Sequence, residues 1–587
     1  MSKIRIICLC ILFLGVNKIY TQVPTLDWAG KIGKNGSDYG YQVHAGLDGN
    51  IYAVGTFKGN NVDFNIDTAA AEVDVFSSGN YNGSILVKYT KTGEFLGGFS
   101  LHSDNDMVIN GTVTFNSIYV ESDGEIYVTG FYQGTTDFDP GVGENILTAI
   151  GDADIFIAKY SGDFTLQWVK RIGYAGRLSG GEKLVLGNDG AIYVTGYFGG
   201  VCDFNPDDIA VNNLTSLGTD DAFIAKYSNS GDYIFALGIG GTSTDRGYGI
   251  CVTNDNTFFA TGKFSQSADL NPDLTEENIY ATGGSLSGTY MASYSSTGEF
   301  LWAHELDVPW YGSGRSVVTD NTGNVYFAGT FLGEVDFNMD DVASNPDTTL
   351  GYVGYLVKYL YDGTYVWHAL VEGTAVVDCY DVSLDKLGGV NICGFHAGET
   401  DFNYASGAAY VLTADGTNNF VANYSTSGVF KWAFQIYGTT SGVAYCSTND
   451  NVGDLYVTGW IKGTGDFNPD PGITDTIVWS GGEGDFFLAK YITDKQPQSI
   501  TDFSKNSVLH VYPNPATNVV FIDIDAENMT ASHGILSLTN MNGQLIQYQN
   551  WNGGLHNDMN LPADLPSGLY LLQLTTSGEN FYNVIVH

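Results

Sequence analysis

A short apolar segment ending in glycine recurs seven times along this chain, and that recurrence restricts it to a repeat architecture. IYAVG ends at Gly55, IYVTG at Gly130 and again at Gly196, and FFATG at Gly262. VYFAG then ends at Gly329, NICG at Gly394 and LYVTG at Gly459. Successive glycines lie 75, 66, 66, 67, 65 and 65 residues apart, so one period near 66 runs from about residue 25 to residue 491. The first copy carries a short insertion. Three other signals keep the same phase. Asp followed by an apolar residue stands seven or eight positions after each glycine, at Asp63, Asp137, Asp203, Asp269, Asp336, Asp401 and Asp466. A segment ending in tyrosine follows, at Tyr89, Tyr160, Tyr227, Tyr294, Tyr359, Tyr424 and Tyr491. An aromatic occupies one further slot, at Trp28, Phe95, Trp168, Phe235, Trp302, Trp367 and Trp432.

Each copy reads as four short strands joined by turns such as Asp48-Gly49-Asn50 and Thr92-Gly93. No segment keeps a helical period. The expected fold is all-β: a seven-bladed β-propeller over residues 23–491. The first aromatic strand, around Trp28, precedes the first full copy, and the last copy ends at the Tyr491 strand. Pairing these two segments would complete the seventh blade and leave no exposed edge. An open solenoid would need polar caps, and none is visible.

The chain has 43% apolar and 15% charged residues, enough apolar content to bury a core. Lys+Arg 24 against Asp+Glu 65 gives a net charge of −41, which argues against nucleic acid as a partner. Lys3 and Arg5 precede the apolar run Ile6 to Val16, so residues 1–22 read as an export signal, too short to span a bilayer. After its removal, 21 Lys and Arg face 65 acids, a charge of −44, with no membrane-spanning segment in the mature chain. Five cysteines then remain (Cys202, Cys251, Cys379, Cys393 and Cys446), with no CxxC pair, and read as buried thiols or one incidental disulfide.

The repeat units resemble the bacterial SBBP-type propeller repeats in their GxIYVTGxF strand, DF[ND]P loop and D-x-FIAKY strand. That resemblance implies a fold and no single activity. Residues 492–509 are polar and read as a linker. Residues 510–587 read as a small β-sandwich and resemble the type A C-terminal sorting domain of the type IX secretion system of Bacteroidota. The likeness rests on Tyr512, Pro513, Asn514 and Pro515 in the opening motif, Gly543 in the middle motif, and Gly568, Leu569 and Tyr570 in the late motif. It implies export to the periplasm, then recognition by the secretion machinery and delivery to the cell surface or medium. One departure is that no Lys or Arg occurs from His510 onward.

The Asp loops are the candidate metal sites. Oxygen side chains alternate in Asp63/Asn65/Asp67, Asp203/Asn205/Asp207, Asp269/Asn271/Asp273, Asp336/Asn338/Asp340 and Asp466/Asn468/Asp470. Such spacing suits Ca²⁺, the one cofactor the sequence suggests, although the Gly and Glu that complete a calcium loop are missing. The competing reading makes Asp and Asn turn caps, with Phe or Leu plugging the core. Histidines are scattered, and His396, near the Asp401 loop, reads as structural. No nucleophile elbow, P-loop or HExxH occurs, so no catalytic residue is assigned. Tyr132, Trp310, Tyr311 and Trp460 fall outside the repeated aromatic slot and are candidate ligand contacts. The leading expectation is a surface or secreted binding module for extracellular glycan or protein. An extracellular polysaccharide hydrolase or lyase and a surface-layer component are the alternatives; the enzyme would need a polar cluster near the axis.

Overall fold

Runs bounded by glycine turns, seven to nine residues long in the first five copies and six to fifteen in the last two, fold each copy into four successive antiparallel strands. A computed structural model describes residues 23–493 and 509–586, except 34–35, 67–74, 77–81, 105–111, 174–176, 207–210, 274–277, 282–286, 307, 309, 321, 339–346, 350, 387, 404–408, 471 and 480 in the first stretch. In the second stretch the exceptions are 513–518, 525–533, 541–544, 553–555, 562–568 and 577–579. The expected export signal and nearly all of the expected linker lie outside the described residues. The chain divides into two compact units, Met1–Thr493 and Asp494–His587. No helix occurs among the described residues.

In the first unit, the repeat beginning at Tyr39–Ala45 continues through Asn50–Lys58, Asn82–Thr90 and Phe95–Leu101, each strand pairing with the next. Six later repeats open with the strands Val113–Val120, Gly180–Leu186, Arg246–Val252, Tyr311–Thr319, Val377–Leu384 and Tyr437–Asn449. Each opening strand lies against the opening strand of the next repeat, and the seventh lies against the first. The fourth strand of the seventh sheet comes from the other end of the chain. Thr25–Ile32 pairs antiparallel with Asp485–Ile492, with Ala29 opposite Ala489 and Leu26 opposite Tyr491.

Apolar side chains fill the space between consecutive sheets. Tyr127, Ile157 and Ile172 of the second repeat join Leu184, Val194 and Phe223 of the third in one buried cluster. Polar side chains of the opening strands stitch the same boundaries. Gln42 Oε1 accepts the Ile118 N–H at 2.8 Å, and Ser117 Oγ accepts the Leu184 N–H at 3.0 Å. Cys446 Sγ lies 3.6 Å from the Val43 carbonyl oxygen, a contact between the last repeat and the first. The five described cysteines are buried and free, and burial pushes their thiols up, which keeps them protonated and inert.

The repeated aromatic slot also joins neighbours. Nε1 of Trp302 donates to the Tyr361 carbonyl at 2.8 Å, and that of Trp367 to the Thr426 carbonyl at 3.0 Å. The turn glycine beneath such a ring has two reasons to be glycine. Gly428 has φ +82°, and a Cβ there would lie 2.8 Å from the Trp367 ring.

The second unit contains a three-stranded sheet (Leu509–Tyr512, Val519–Ile524 and His556–Asn560) and a four-stranded sheet built on Gly534–Asn540 and Leu569–Thr576. Ile522, Leu536, Leu538, Met559, Leu572 and Leu574 are buried in it.

Candidate functional site

The glycine that marks each repeat has a mechanical cause. Opposite every one of the seven, the opening strand carries a β-bulge. The bulge presses a backbone carbonyl onto the second strand. A Cβ at Gly55 would come within 2.0 Å of the Tyr39 oxygen, and one at Gly394 within 1.9 Å of the Asp378 oxygen. Only glycine leaves room.

The extra residue of each bulge re-aims one side chain. The seven are Tyr41, Asn116, Glu182, Tyr248, Arg315, Tyr380 and Tyr445, and all seven line one cavity of about 480 Å³ between the opening strands. Here the repeat stops repeating. The Tyr41 and Tyr445 rings lie 5.6 Å apart, and Tyr445 meets Tyr380 edge-on at 5.1 Å. The Arg315 guanidinium sits 4.6 Å from the Tyr380 ring centre and 5.4 Å from that of Tyr248. An aromatic arc therefore runs from Tyr41 to Tyr248 with one cation set into it, and Glu182 and Asn116 complete the circuit.

The electrostatics follow from burial. Arg315 pairs with Asp378 at 3.0 Å, and Asp378 also accepts from Thr330 Oγ1 at 2.5 Å. Arg246, next to the cavity, pairs with Asp220 at 2.9 Å and lies 4.0 Å from the Tyr197 ring centre. Burial pushes the Glu182 carboxyl up to about 7, opposed by the Arg246 and Arg315 charges. Among the described residues Glu182 makes no hydrogen bond or ion pair. Burial pushes the Tyr248 hydroxyl up to about 12 and that of Tyr41 further, so these tyrosines stay neutral donors. The arrangement offers aromatic faces, neutral hydroxyls, one carboxyl and fixed cations to whatever enters.

The Asp residues predicted to bind metal lie elsewhere, in short hairpins instead of open loops. Asp203 ends the strand Val201–Asp203, paired with Asn213–Thr215, and Asp269 likewise ends Ser267–Asp269. Two- and three-residue strands are too short to show a period of two in sequence. Asp203 Oδ1 accepts the N–H of Asn205 at 3.0 Å and of Asn212 at 2.9 Å. Asp269 Oδ1 does the same for Asn271 and Asn278, both at 3.0 Å, and Asp466 Oδ1 for Asn468 and Asp475 at 3.1 and 2.8 Å. Asp63 and Asp336 hold the N–H of Asn65 and Asn338, each at 2.9 Å. Asn271 and Asn468 in turn hold the N–H of Asp273 and Asp470, both at 3.0 Å. Asp67, Asp207 and Asp340 lie outside the described residues. No group of three or more His, Cys, Asp or Glu side chains is placed to hold a metal ion among the described residues.

The apolar partner of each Asp is buried, and its carbonyl is tied to the repeat's tyrosine. Tyr227 Oη donates to the Phe204 carbonyl at 2.9 Å, and Tyr294 Oη to that of Leu270 at 2.8 Å. Tyr491 breaks this pattern: its hydroxyl is buried with no hydrogen-bond partner among the described residues.

Of the free aromatics, Tyr132 is a correction. It is fully buried, edge-on to Phe138 at 5.3 Å, because it faces inward from the strand Ile126–Tyr132 and cannot touch a ligand. Trp310 is 62% exposed, and Tyr311 packs on Tyr352 at 5.4 Å. Trp460 backs the cavity, with Nε1 3.3 Å from Tyr445 Oη and its ring 5.6 Å from Tyr39. His396 is buried, with Nδ1 3.0 Å from Thr400 Oγ1 and Nε2 2.5 Å from Gln435 Oε1. Of the sorting residues, Tyr512 ends a strand, while Leu569 and Tyr570 open one and Tyr570 is buried; Pro513, Asn514, Pro515, Gly543 and Gly568 lie outside the described residues.

The chain is 21% identical over 466 residues to an uncharacterized WD repeat-containing protein, L264, of Acanthamoeba polyphaga mimivirus. The match covers 69% of this chain and 33% of the relative, so the chain spans about a third of that protein's length. A repeat relative of this kind and an all-β set of four-stranded sheets fit a propeller-like architecture. No helix of the described residues is long and apolar enough to cross a membrane. Residues 510–586 match the secretion system C-terminal sorting domain, and the protein is accordingly exported by type IX secretion to the cell surface or the extracellular space.

Proposed function

We propose that residues 23–491 form a closed seven-bladed β-propeller of the SBBP type, and that the mouth of its axis binds an extracellular glycan. Closure is supported by the circuit of neighbouring opening strands and by the pairing of Thr25–Ile32 with Asp485–Ile492. The observation that carries the binding reading is the set of seven bulge residues around one cavity. A scaffold has no need to aim four tyrosines, an arginine, a glutamate and an asparagine at one space. Tyrosine faces stack on the C–H faces of sugar rings, and an unpartnered carboxyl accepts from sugar hydroxyls.

The test is calorimetric titration of the purified protein with a panel of oligosaccharides. Tyr380→Ala and Tyr445→Ala should weaken binding about tenfold each without moving the melting temperature. Unchanged affinity in both variants would overturn the reading. A second reading has one observation in its favour. Glu182 carries a carboxyl poised near pH 7, as a proton-transfer group requires, so the site would suit a polysaccharide hydrolase or lyase. New reducing ends released by the protein and absent in Glu182→Gln would establish it.

A further inference from the structure

Lys263 stands directly opposite Arg246 on the neighbouring strand of the fourth repeat. It is half-buried, and its ammonium makes no hydrogen bond or ion pair among the described residues. Arg315 of the fifth repeat lies within electrostatic reach, and burial followed by Arg246 and Arg315, opposed by Asp220, holds the ammonium below its usual range. Arg315 lines the cavity, and Arg246 and Lys263 stand beside the Tyr248 bulge that also lines it, in a chain where 24 Lys and Arg face 65 acids. Asp220 and Asp378 account for the two arginines, which keep their stacked positions on Tyr197 and Tyr380. Each guanidinium still has a buried Nε without an acceptor. For Lys263 the one opposing charge is that of Asp220, which is already paired with Arg246, and it does not outweigh burial and the two guanidinium groups. A half-buried ammonium set against two guanidinium groups is a cost that folding alone does not recover, and a bound anion would offset it.

We propose that the glycan is acidic, with a carboxylate or sulfate seated at Lys263 beside Arg246 and Arg315 while its sugar ring lies along the tyrosine arc. This rests on the reading of the cavity as a glycan site. It adds the charge that the ligand must carry and the residues that select it. The chain's overall charge repels a polyanion, so a local cationic seat is what makes such a ligand acceptable at all.

The experiment uses the purified full chain and four probes: polygalacturonate, its methyl ester, dextran sulfate and polyglutamate. Polygalacturonate, whose only acid is a carboxylate, or dextran sulfate, whose only acid is a sulfate, should bind, and which of the two binds separates carboxylate from sulfate. The methyl ester should bind at least about tenfold more weakly than polygalacturonate, the value of one charge-assisted contact. Lys263→Gln should lower acidic-glycan affinity by about tenfold without lowering the melting temperature, which should rise as the uncompensated charge is removed, and should leave affinity for the methyl ester where it was. Measurable and equal binding of the ester and the acid, or unchanged affinity of the acidic polymer that binds in Lys263→Gln, overturns the acidic-ligand inference while leaving the glycan site intact. Equal binding of polyglutamate overturns the sugar component. Binding of none of the four, with no neutral oligosaccharide binding either, overturns the glycan site itself.

Discussion

Gly329 lies so close to the carbonyl oxygen of Ser313 that a Cβ at this position would come within 2.1 Å of it. The contact exists because the bulge that follows Ser313 turns Arg315 toward the cavity. Scaffold and site are therefore one feature in this protein. Gly329→Ala should destabilise the first unit by about 2 kcal/mol or more and should also weaken ligand binding, because Arg315 moves with the bulge. Gly49 provides the contrast. Its φ is +82° but nothing lies within 4 Å of the Cβ it lacks, so Gly49→Asn should cost less than about 1 kcal/mol. Thermal melts of the two variants, with circular dichroism to confirm the fold, check both expectations.

The tyrosine that closes each repeat offers a paired test. Tyr227→Phe removes the donor to the Phe204 carbonyl and leaves a buried acceptor unsatisfied, a loss of about 1–2 kcal/mol. Tyr491→Phe removes a buried hydroxyl that has no acceptor, and should be neutral or stabilising. The denaturant midpoint should fall for Tyr227→Phe and hold or rise for Tyr491→Phe relative to the parent. Equal destabilisation would show that the hydroxyl of Tyr491 is bonded in solution.

Acid should loosen the first unit through two buried imidazoles. Burial lowers His396 to about 4, opposed by its bond to Gln435, and burial lowers His44 to about 4 as well. In the unfolded chain both would titrate near 6.5, so between about 6.5 and 4 the unfolded state binds more protons. Stability from these two groups is complete above that window and falls as pH drops through it. Asp245 runs the other way, since burial pushes its carboxyl up to about 7 and the native state then holds the extra proton. His396→Asn should lower stability at pH 7.5 and flatten the loss between pH 6.5 and 4. Melting temperature against pH for parent and variant measures the difference in slope.

Calcium removal separates the two roles open to the Asp hairpins. Each described loop Asp already accepts one or two backbone N–H groups, as Asp203 and Asp466 do, and turn capping uses that oxygen fully. A chelator should leave the melting temperature where it was, apart from the general effect of ionic strength on a chain of charge −41. A calcium-specific rise in melting temperature that is lost in Asp466→Asn would assign the hairpins as metal sites instead.

Much of the architecture is legible in the repeated residues. The glycines, the Asp–Phe pairs, the tyrosines and the aromatic slot each do the same packing task in nearly every copy, and equal tasks select equal residues. The cavity is hidden for the same reason. Its residues Tyr41, Asn116, Glu182, Tyr248, Arg315, Tyr380 and Tyr445 do different tasks, so they share no identity, and reading for recurrence passes over them. They share only a position, 14 residues before each marker glycine. That offset, at which a regular sequence becomes irregular, is the signal that would have located the site. Tyr132 misled in the converse way: it stands outside the repeated slot yet faces the core, because strand direction and not novelty decides which way a side chain points.

The seventh sheet also governs how this protein comes to be folded. Lys490 Nζ reaches Asp27 at 2.9 Å across 463 residues of sequence, in a sheet whose fourth strand precedes the other three by more than 400 residues. Six sheets are each assembled from neighbouring segments, but the seventh waits for the whole array. Among the described strand pairings, this one closes the longest loop and spans the greatest sequence separation. Until that step, Thr25–Ile32 and Asp485–Ile492 each present an unpaired edge. The slowest phase of refolding should therefore report on Trp28, whose ring meets Tyr456 only when the two ends have found each other.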